Sequence, residues 1–285
     1  MDRKYFVGID SDGCVFDTME LKHKECFIPN TIRYFGLRNV SRVARETAEF
    51  VNLYSRYRAT NRFSALITML DLLRDRPEVA EREVEVPTLE GLREWLASEK
   101  IPSNTTLKEA LERTGNPDLR LCMKWSNAVN ESIEILVQGM PAFRWVRESL
   151  QKLRPQCELV VVSATPQAAL KREWRERGLD GLVDRICGQE LGSKKVILAD
   201  AANYPKSNRL MIGDAMNDLL AARACECLFF PVLPNRETES WERLYSEALD
   251  KFFEGTFQGE YENGLISEFE RILPDLPPWR VNNAP

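Results

Sequence analysis

No stretch of this sequence approaches the ~18 consecutive apolar residues that a membrane-spanning helix requires, which excludes a helical membrane protein. Histidine is nearly missing. His23 is the only one, so the common His-based triads are excluded unless that residue serves in one itself. The seven cysteines include no Cys-x-x-Cys pair, and Cys225 and Cys227 have no further Cys or His cluster to complete a zinc site; they read as reduced, buried thiols. Positive charge is also short: a formal net charge of −5 argues against a general nucleic-acid binder. Nor does an apolar leader precede the first strand, since Met1-Asp2-Arg3-Lys4 runs straight into it. The expectation is a cytoplasmic protein without membrane or nucleic-acid partners.

What is present is the composition of an ordinary globular protein, 44% hydrophobic and 29% charged, with 285 residues to build one or two domains. The charge is unevenly placed. Residues 20–74 carry ten Lys/Arg against five Asp/Glu, whereas residues 236–271 carry four against ten. The basic segment is either where an anionic substrate is received or a solvated helical face.

The run Tyr5-Phe6-Val7-Gly8-Ile9 ends abruptly in Asp10-Ser11-Asp12-Gly13. A buried parallel strand delivers side chains to the rim of a sheet in this way, where open α/β folds place their ligands. Residues two apart in an extended chain point the same way, so Asp10 and Asp12 are predicted to leave the strand on one side, with Gly13 opening a tight turn. Carboxylates held that close repel, and tolerate each other best with a cation between them or a proton on one. A strand followed by an ordinary Asp-Gly turn is the plainer alternative.

From residue 18 to about 139, apolar residues recur at three- and four-residue spacings (27–35, 43–57, 63–73, 89–97, 119–137), punctuated by Pro77, Pro87 and Pro102. A short helix over 107–111 is predicted, capped by Thr105 or Thr106. No strand pattern appears, so residues 19–139 read as an inserted α-helical domain. Beyond Gln138-Gly139-Met140-Pro141 strand and helix alternate: helix 143–153, strand 159–162, helix 168–177, strand 183–187, a helix from Ser193 to about 203, strand 209–213, helix 216–224 and strand 227–232. That order predicts an α/β core, residues 1–18 and 140–285, built on a Rossmann-like, doubly wound parallel sheet. Its C-terminal extension, from 234 on, adds helices over 241–253, capped by Ser240, and 260–273, with packing on the core expected. Trp95, Trp125, Trp145 and Trp174 fall at helical core spacings and read as packing residues.

Polar residues end three of the strands: Asp10 and Asp12; Ser163 in Ser163-Ala164-Thr165-Pro166; Asp214 and Asp218 in Gly213-Asp214-Ala215-Met216-Asn217-Asp218. Lys194-Lys195 follows Gly192-Ser193. In a parallel sheet these ends lie along one edge, so four distant parts of the chain converge. The set resembles the haloacid dehalogenase (HAD) superfamily, in particular its phosphatases with a helical cap inserted after the first motif. The resemblance covers residues 5–18 and 140–232; the insertion matches a cap in position only and is longer than the usual small bundle.

The resemblance implies that Asp10 is the nucleophile, forming an aspartyl phosphate, and that Asp12 is the general acid and then the base. It implies Mg²⁺, held by the Asp10 side chain, the Asp12 main-chain carbonyl and Asp214, with Asp218 and Asn217 steadying metal waters and the lysine. Ser163 would bind a phosphoryl oxygen, with Ser11, Ala164 and Asn217 as further phosphate-binding positions. Lys194, preferred to Lys195 because it directly follows Gly192-Ser193, would offset the charge of nucleophile and phosphate. Relatives that cleave carbon–halogen or phosphonate bonds lack an aspartate two residues after the nucleophile, so Asp12 points to phosphate esters. Cys14 stands where many relatives have threonine and reads as a packing residue.

In capped relatives the cap supplies the leaving-group pocket. Here Arg56, Arg58 and Arg62, within Tyr54-Ser55-Arg56-Tyr57-Arg58-Ala59-Thr60-Asn61-Arg62-Phe63, suit bidentate contact with a second anionic group; the alternative is a polar turn with its arginines in solvent. Lys22 and His23 lie about a turn past the first motif, although a lone histidine is more often a surface or packing residue. The expected activity is Mg²⁺-dependent hydrolysis of a small phosphorylated metabolite by a monomer or homodimer. The rivals are a sugar phosphomutase with the same nucleophile and a binding protein that keeps the fold without turnover.

Overall fold

The computed structural model describes residues 3–281, and contacts divide them into two units: residues 3–19 with 138–274, and residues 20–137 with 275–281. The first unit is built on five parallel strands, β1 (Tyr5–Ile9), β2 (Cys157–Val162), β3 (Arg185–Cys187), β4 (Arg209–Gly213) and β5 (Leu228–Pro231), in the order β3-β2-β1-β4-β5. A parallel sheet must be covered on both faces, and the strands alternate accordingly. Tyr5, Val7, Ile9, Leu159, Val161, Leu210 and Ile212 enter one hydrophobic cluster, while Phe6, Val160, Val162 and Met211 enter the other. Ile9 lies level with both Val161 and Ile212, so the three central strands end together. The chain leaves β1 toward β2 and β3 on one side and β4 and β5 on the other. That reversal of strand order is where open α/β sheets leave a crevice.

The second unit is helical. Its main elements are α1 (Ile28–Tyr34, entered through a π-helical stretch, Lys22–Phe27), α2 (Ser41–Leu53), α3 (Arg62–Arg74), α4 (Glu90–Ser98), α5 (Asn104–Thr114) and α6 (Pro117–Leu136). They enclose a core that includes Phe35, Val43, Phe50, Phe63, Leu70, Leu92, Trp95 and Trp125. The α5 helix starts earlier than the apolar spacing predicts. Ser103 is its cap, accepting from the Thr106 N–H at 3.1 Å, and the Thr106 hydroxyl accepts from the Ser103 N–H at 3.1 Å.

The end of the chain corrects the expectation for the C-terminal extension, because residues 275–281 join the helical unit rather than the α/β core. Trp279 packs edge-on against Phe50 with centroids 5.5 Å apart, the Arg76 guanidinium lies 4.5 Å from the Trp279 ring centre, and Arg56 pairs with Asp275 at 2.5 Å.

The helices that cover the sheet include α7 (Val146–Leu153), α8 (Gln167–Glu176), α9 (Lys194–Leu198), α10 (Met216–Ala224), α11 (Glu237–Arg243) and α12 (Glu260–Ile272). Ser240 does not cap a helix, as the sequence pattern suggests, but sits inside α11. Its hydroxyl accepts from the Leu233 N–H at 3.0 Å and donates to the Arg236 carbonyl at 2.8 Å, tying β5's exit to the helix. Of the four tryptophans read as packing, Trp95, Trp125 and Trp174 are buried, whereas Trp145 is half-buried and stacks on Tyr245.

Candidate active site

The loop after β1 is tied tightly to the sheet and to itself. The Asp10 N–H donates to the Ile212 carbonyl at 2.9 Å, and the Ser11 carbonyl accepts from the Val15 and Phe16 N–H groups at 2.8 and 3.1 Å. Gly13 has φ of +73°, a left-handed conformation that a side chain would strain. The loop therefore turns where the sequence places its glycine.

Asp10, Asp214 and Asp218 are 4%, 1% and 0% exposed, so these three acids are interior groups. Their carboxylates each offer an oxygen within 4.8 Å of the others. Asp10 follows β1 and Asp214 follows β4. Asp218 comes from the first turn of α10, where its carboxylate also accepts the Ala215 N–H at 3.1 Å. Gly213 makes that approach possible, since a Cβ there would lie 2.5 Å from Asp218 Cβ and Cγ.

Among the described residues, one cation reaches this cluster. Lys194 Nζ lies 2.7 Å from Asp10 Oδ2 and 2.6 Å from Asp218 Oδ1. Ser193 starts α9 by accepting the Val196 N–H at 3.4 Å, and the first-turn geometry sends Lys194 inward and leaves Lys195 exposed. Burial drives the Asp10 pKa up to about 6; Lys194 opposes the rise and Asp214 adds to it. Asp218 is raised by burial as well, to about 6, again against the pull of Lys194. Burial works against the lysine's charge, but Asp10 and Asp218 together hold its pKa above the ordinary value.

Three buried carboxylates against one ammonium leave an excess of negative charge that matches a divalent cation. The donors are all oxygens, which suits a hard ion. Cys14 lies outside this group: its sulfur packs 3.8 Å from the Ile212 carbonyl oxygen, and burial pushes its thiol pKa well up.

Asp12 stands outside this three-carboxylate group. Its two oxygens accept from the Thr18 and Thr165 hydroxyls, both at 2.6 Å, and the residue is half-buried where Asp10 is interior. The sequence pattern singles out neither Thr18 nor Thr165, although Thr165 stands two residues after Ser163 in Ser163-Ala164-Thr165-Pro166.

Ser163 is buried, and its hydroxyl accepts the Thr165 N–H at 3.2 Å. Ala164 is exposed and Asn217 half-buried. Ser11, a phosphate-binding position implied by the resemblance, turns its hydroxyl into the core. It is fully buried, and its hydroxyl accepts from the Trp174 indole N–H at 3.0 Å. Its backbone N–H donates to Asp10 Oδ1 at 2.8 Å.

The three arginines belong to the helical unit, and their surroundings differ. Arg56 is exposed on Asp275. Arg58 is buried and donates to the Leu53 carbonyl at 3.1 Å, satisfying the end of α2. Arg62 uses one nitrogen, Nη1, for Ser126 Oγ (2.8 Å) and Asn130 Oδ1 (2.7 Å), with its guanidinium 5.1 Å from the Phe27 ring centre. Among the described residues it has no carboxylate partner, and burial alone lowers its pKa to about 10. His23 stacks on Phe27 with centroids 4.8 Å apart.

No family model matches the chain, and no curated protein matches it. Solved structures do. A HAD-superfamily hydrolase, subfamily IA, variant 1, from Geobacter sulfurreducens is 15% identical over 80% of this chain and 87% of its own, with a TM-score of 0.40. A protein described as a predicted phosphoglycolate phosphatase from Haemophilus somnus is 16% identical over 81% and 86%, with a TM-score of 0.46. A HAD family hydrolase from Deinococcus radiodurans, solved with bound phosphate and sodium, is 14% identical over 80% of both chains, with a TM-score of 0.44.

Proposed function

We propose that this chain is a HAD-type phosphatase that hydrolyses a small phosphate monoester through an aspartyl phosphate on Asp10. The observation that carries the reading is the division of labour among the acids. Asp10, Asp214 and Asp218 gather around Lys194 in the interior, while Asp12 is held apart by two hydroxyls.

In this mechanism Asp10 attacks phosphorus, a P–O bond to its carboxylate forms and the P–O bond to the leaving alcohol breaks. Asp12 gives its proton to the departing oxygen, then takes a proton from water as that water displaces Asp10 from phosphorus. Thr18 and Thr165 orient Asp12 for both transfers. Lys194 offsets charge on Asp10 and on the phosphoryl oxygens, and Ser163 lies at the neighbouring strand end to bind one of them. Asp10, Asp214 and Asp218, with the Asp12 carbonyl, are the groups proposed to hold Mg²⁺, which when bound supplies positive charge to the phosphoryl group. The helical unit is proposed to select the substrate. Arg62 is its anion-recognising side chain: among the described residues it has no carboxylate partner, whereas Arg56 pairs with Asp275 and Arg58 is buried on the Leu53 carbonyl.

A screen of phosphorylated sugars, nucleotides and small acids with and without Mg²⁺ tests the reading. Mg²⁺-dependent release of phosphate from at least one ester, lost in Asp10→Asn, is the expected result. Release by Asp10→Asn at the wild-type rate would overturn it.

A further inference from the structure

Ser11 separates the two acids to which the proposed chemistry is assigned, and its hydroxyl turns away from them into the core. There it meets the indole N–H of Trp174, a fully buried residue of α8 that lies edge-on to Phe16 with centroids 5.7 Å apart. A second buried indole reaches the same loop from another helix: Trp241 of α11 donates its N–H to the Cys14 carbonyl at 2.7 Å. Both tryptophans belong to the cluster on the same face of the sheet. A buried indole needs an acceptor, but any helix carbonyl would serve. Here both donors are directed at residues 11 and 14, which flank Asp12.

We propose that Trp174 is a positioning residue for the reaction: through Ser11 Oγ it fixes the backbone between Asp10 and Asp12, and so the direction in which the two carboxylates leave the end of β1. Trp241 steadies the far side of the same turn through Cys14. The energetic logic is that of a buried hydrogen bond, where losing one partner leaves the other unsatisfied in the interior and the loop relaxes to satisfy it. Displacement of a reacting group by about 1 Å is enough to cost ~10²-fold in rate. The proposal rests on the phosphatase reading for its kinetic consequence.

The test is a double-mutant cycle of Ser11→Ala and Trp174→Phe, with Leu150→Ala from the same hydrophobic cluster as a control for lost packing. For each variant kcat and KM are measured per folded molecule on the best ester from the screen, with unfolding midpoints and calorimetric Mg²⁺ affinity alongside. Each single variant is expected to lower kcat by about ten-fold with KM changed by less than about two-fold, and the double variant to be no worse than the poorer single. Leu150→Ala is expected to lose stability and keep its kcat. The inference is overturned if the two losses multiply, or if kcat per folded molecule is unchanged. Wild-type failure on every ester would instead refute the phosphatase reading. Positioning would then be judged by Mg²⁺ affinity alone, which weakens in both single variants if the inference holds and is unaltered if it does not.

Discussion

The ion pairs of the helical unit and the carboxylate cluster of the α/β unit hold their charges in opposite ways. In the helical unit acids lie near the surface beside arginines: Asp71 takes Arg74 at 2.9 Å and Arg93 at 2.5 Å, and Arg76 is shared by Glu46 and Glu78 at 2.8 and 3.1 Å. Partial burial works to raise Asp71, but its arginines outweigh it and hold the pKa below the ordinary value; Arg76 holds Glu78 down at about 2. The α/β unit has such pairs too, Arg243 with Glu268 at 2.9 Å among them, but at its strand ends Asp10, Asp214 and Asp218 are gathered in the interior, and burial raises Asp10 and Asp218 to about 6 despite Lys194. Exposed pairs contribute little to stability. Like charges buried together are costly, and a fold retains them where the grouping is used. The contrast separates scaffold from site without reference to any relative.

Four experiments can break or sharpen that contrast. The largest effect is expected from Asp10→Asn, which should retain the fold by circular dichroism and lose roughly four orders of magnitude in turnover. Next is Lys194→Met, which strips the buried acids of their counter-charge. Chemical denaturation without metal should show a loss of ~3–5 kcal/mol, against about 1 kcal/mol or less for Arg93→Met in the helical unit. Equal losses would erase the distinction between the units.

Added Mg²⁺ should stabilise the wild type by about 2.7 kcal/mol at a hundred-fold excess over its Kd, because the ion binds the folded chain only. Asp214→Asn should abolish that gain, as a thermal shift would record. The smallest effect is that of pH on the helical unit. Carboxylates with lowered pKa values stabilise above their ordinary values and lose that contribution as pH falls through the folded ones. For Glu78 that window runs from 4.5 down to about 2. Asp71→Asn/Glu78→Gln should therefore flatten the acid limb of the unfolding curve by a few tenths of a kcal/mol, since both carboxylates remain partly exposed to solvent and its screening.

What the sequence made legible was whatever sits next to its own cause. Asp10, Ser163 and Asp214 each follow an apolar strand directly, so their convergence at one edge needed only the parallel topology that strand–helix alternation implies. Features set by distant partners were not legible. The inward turn of Ser11 depends on Trp174, 163 residues away, and the hold on Asp12 depends on Thr165, 153 residues away. Residues 275–281 lie far along the chain from the helices they join, and Trp279 gives no local sign of Phe50. Capping failed for a different reason. Ser103, Thr105 and Thr106 all suit a helix start, and the choice among them rests on a two-way exchange between Ser103 and Thr106 that composition does not reveal.

If Asp10 carries the phosphoryl group between substrate and water, acid-quenching the enzyme during turnover of an ester from the screen, followed by peptide mass spectrometry, should find it there. The expected outcome is a phosphoryl group on the peptide containing Asp10, trapped in greater amount by Asp12→Asn than by Asp10→Asn. Turnover that leaves Asp10 unmodified at every quench time, in wild type and Asp12→Asn alike, would contradict it.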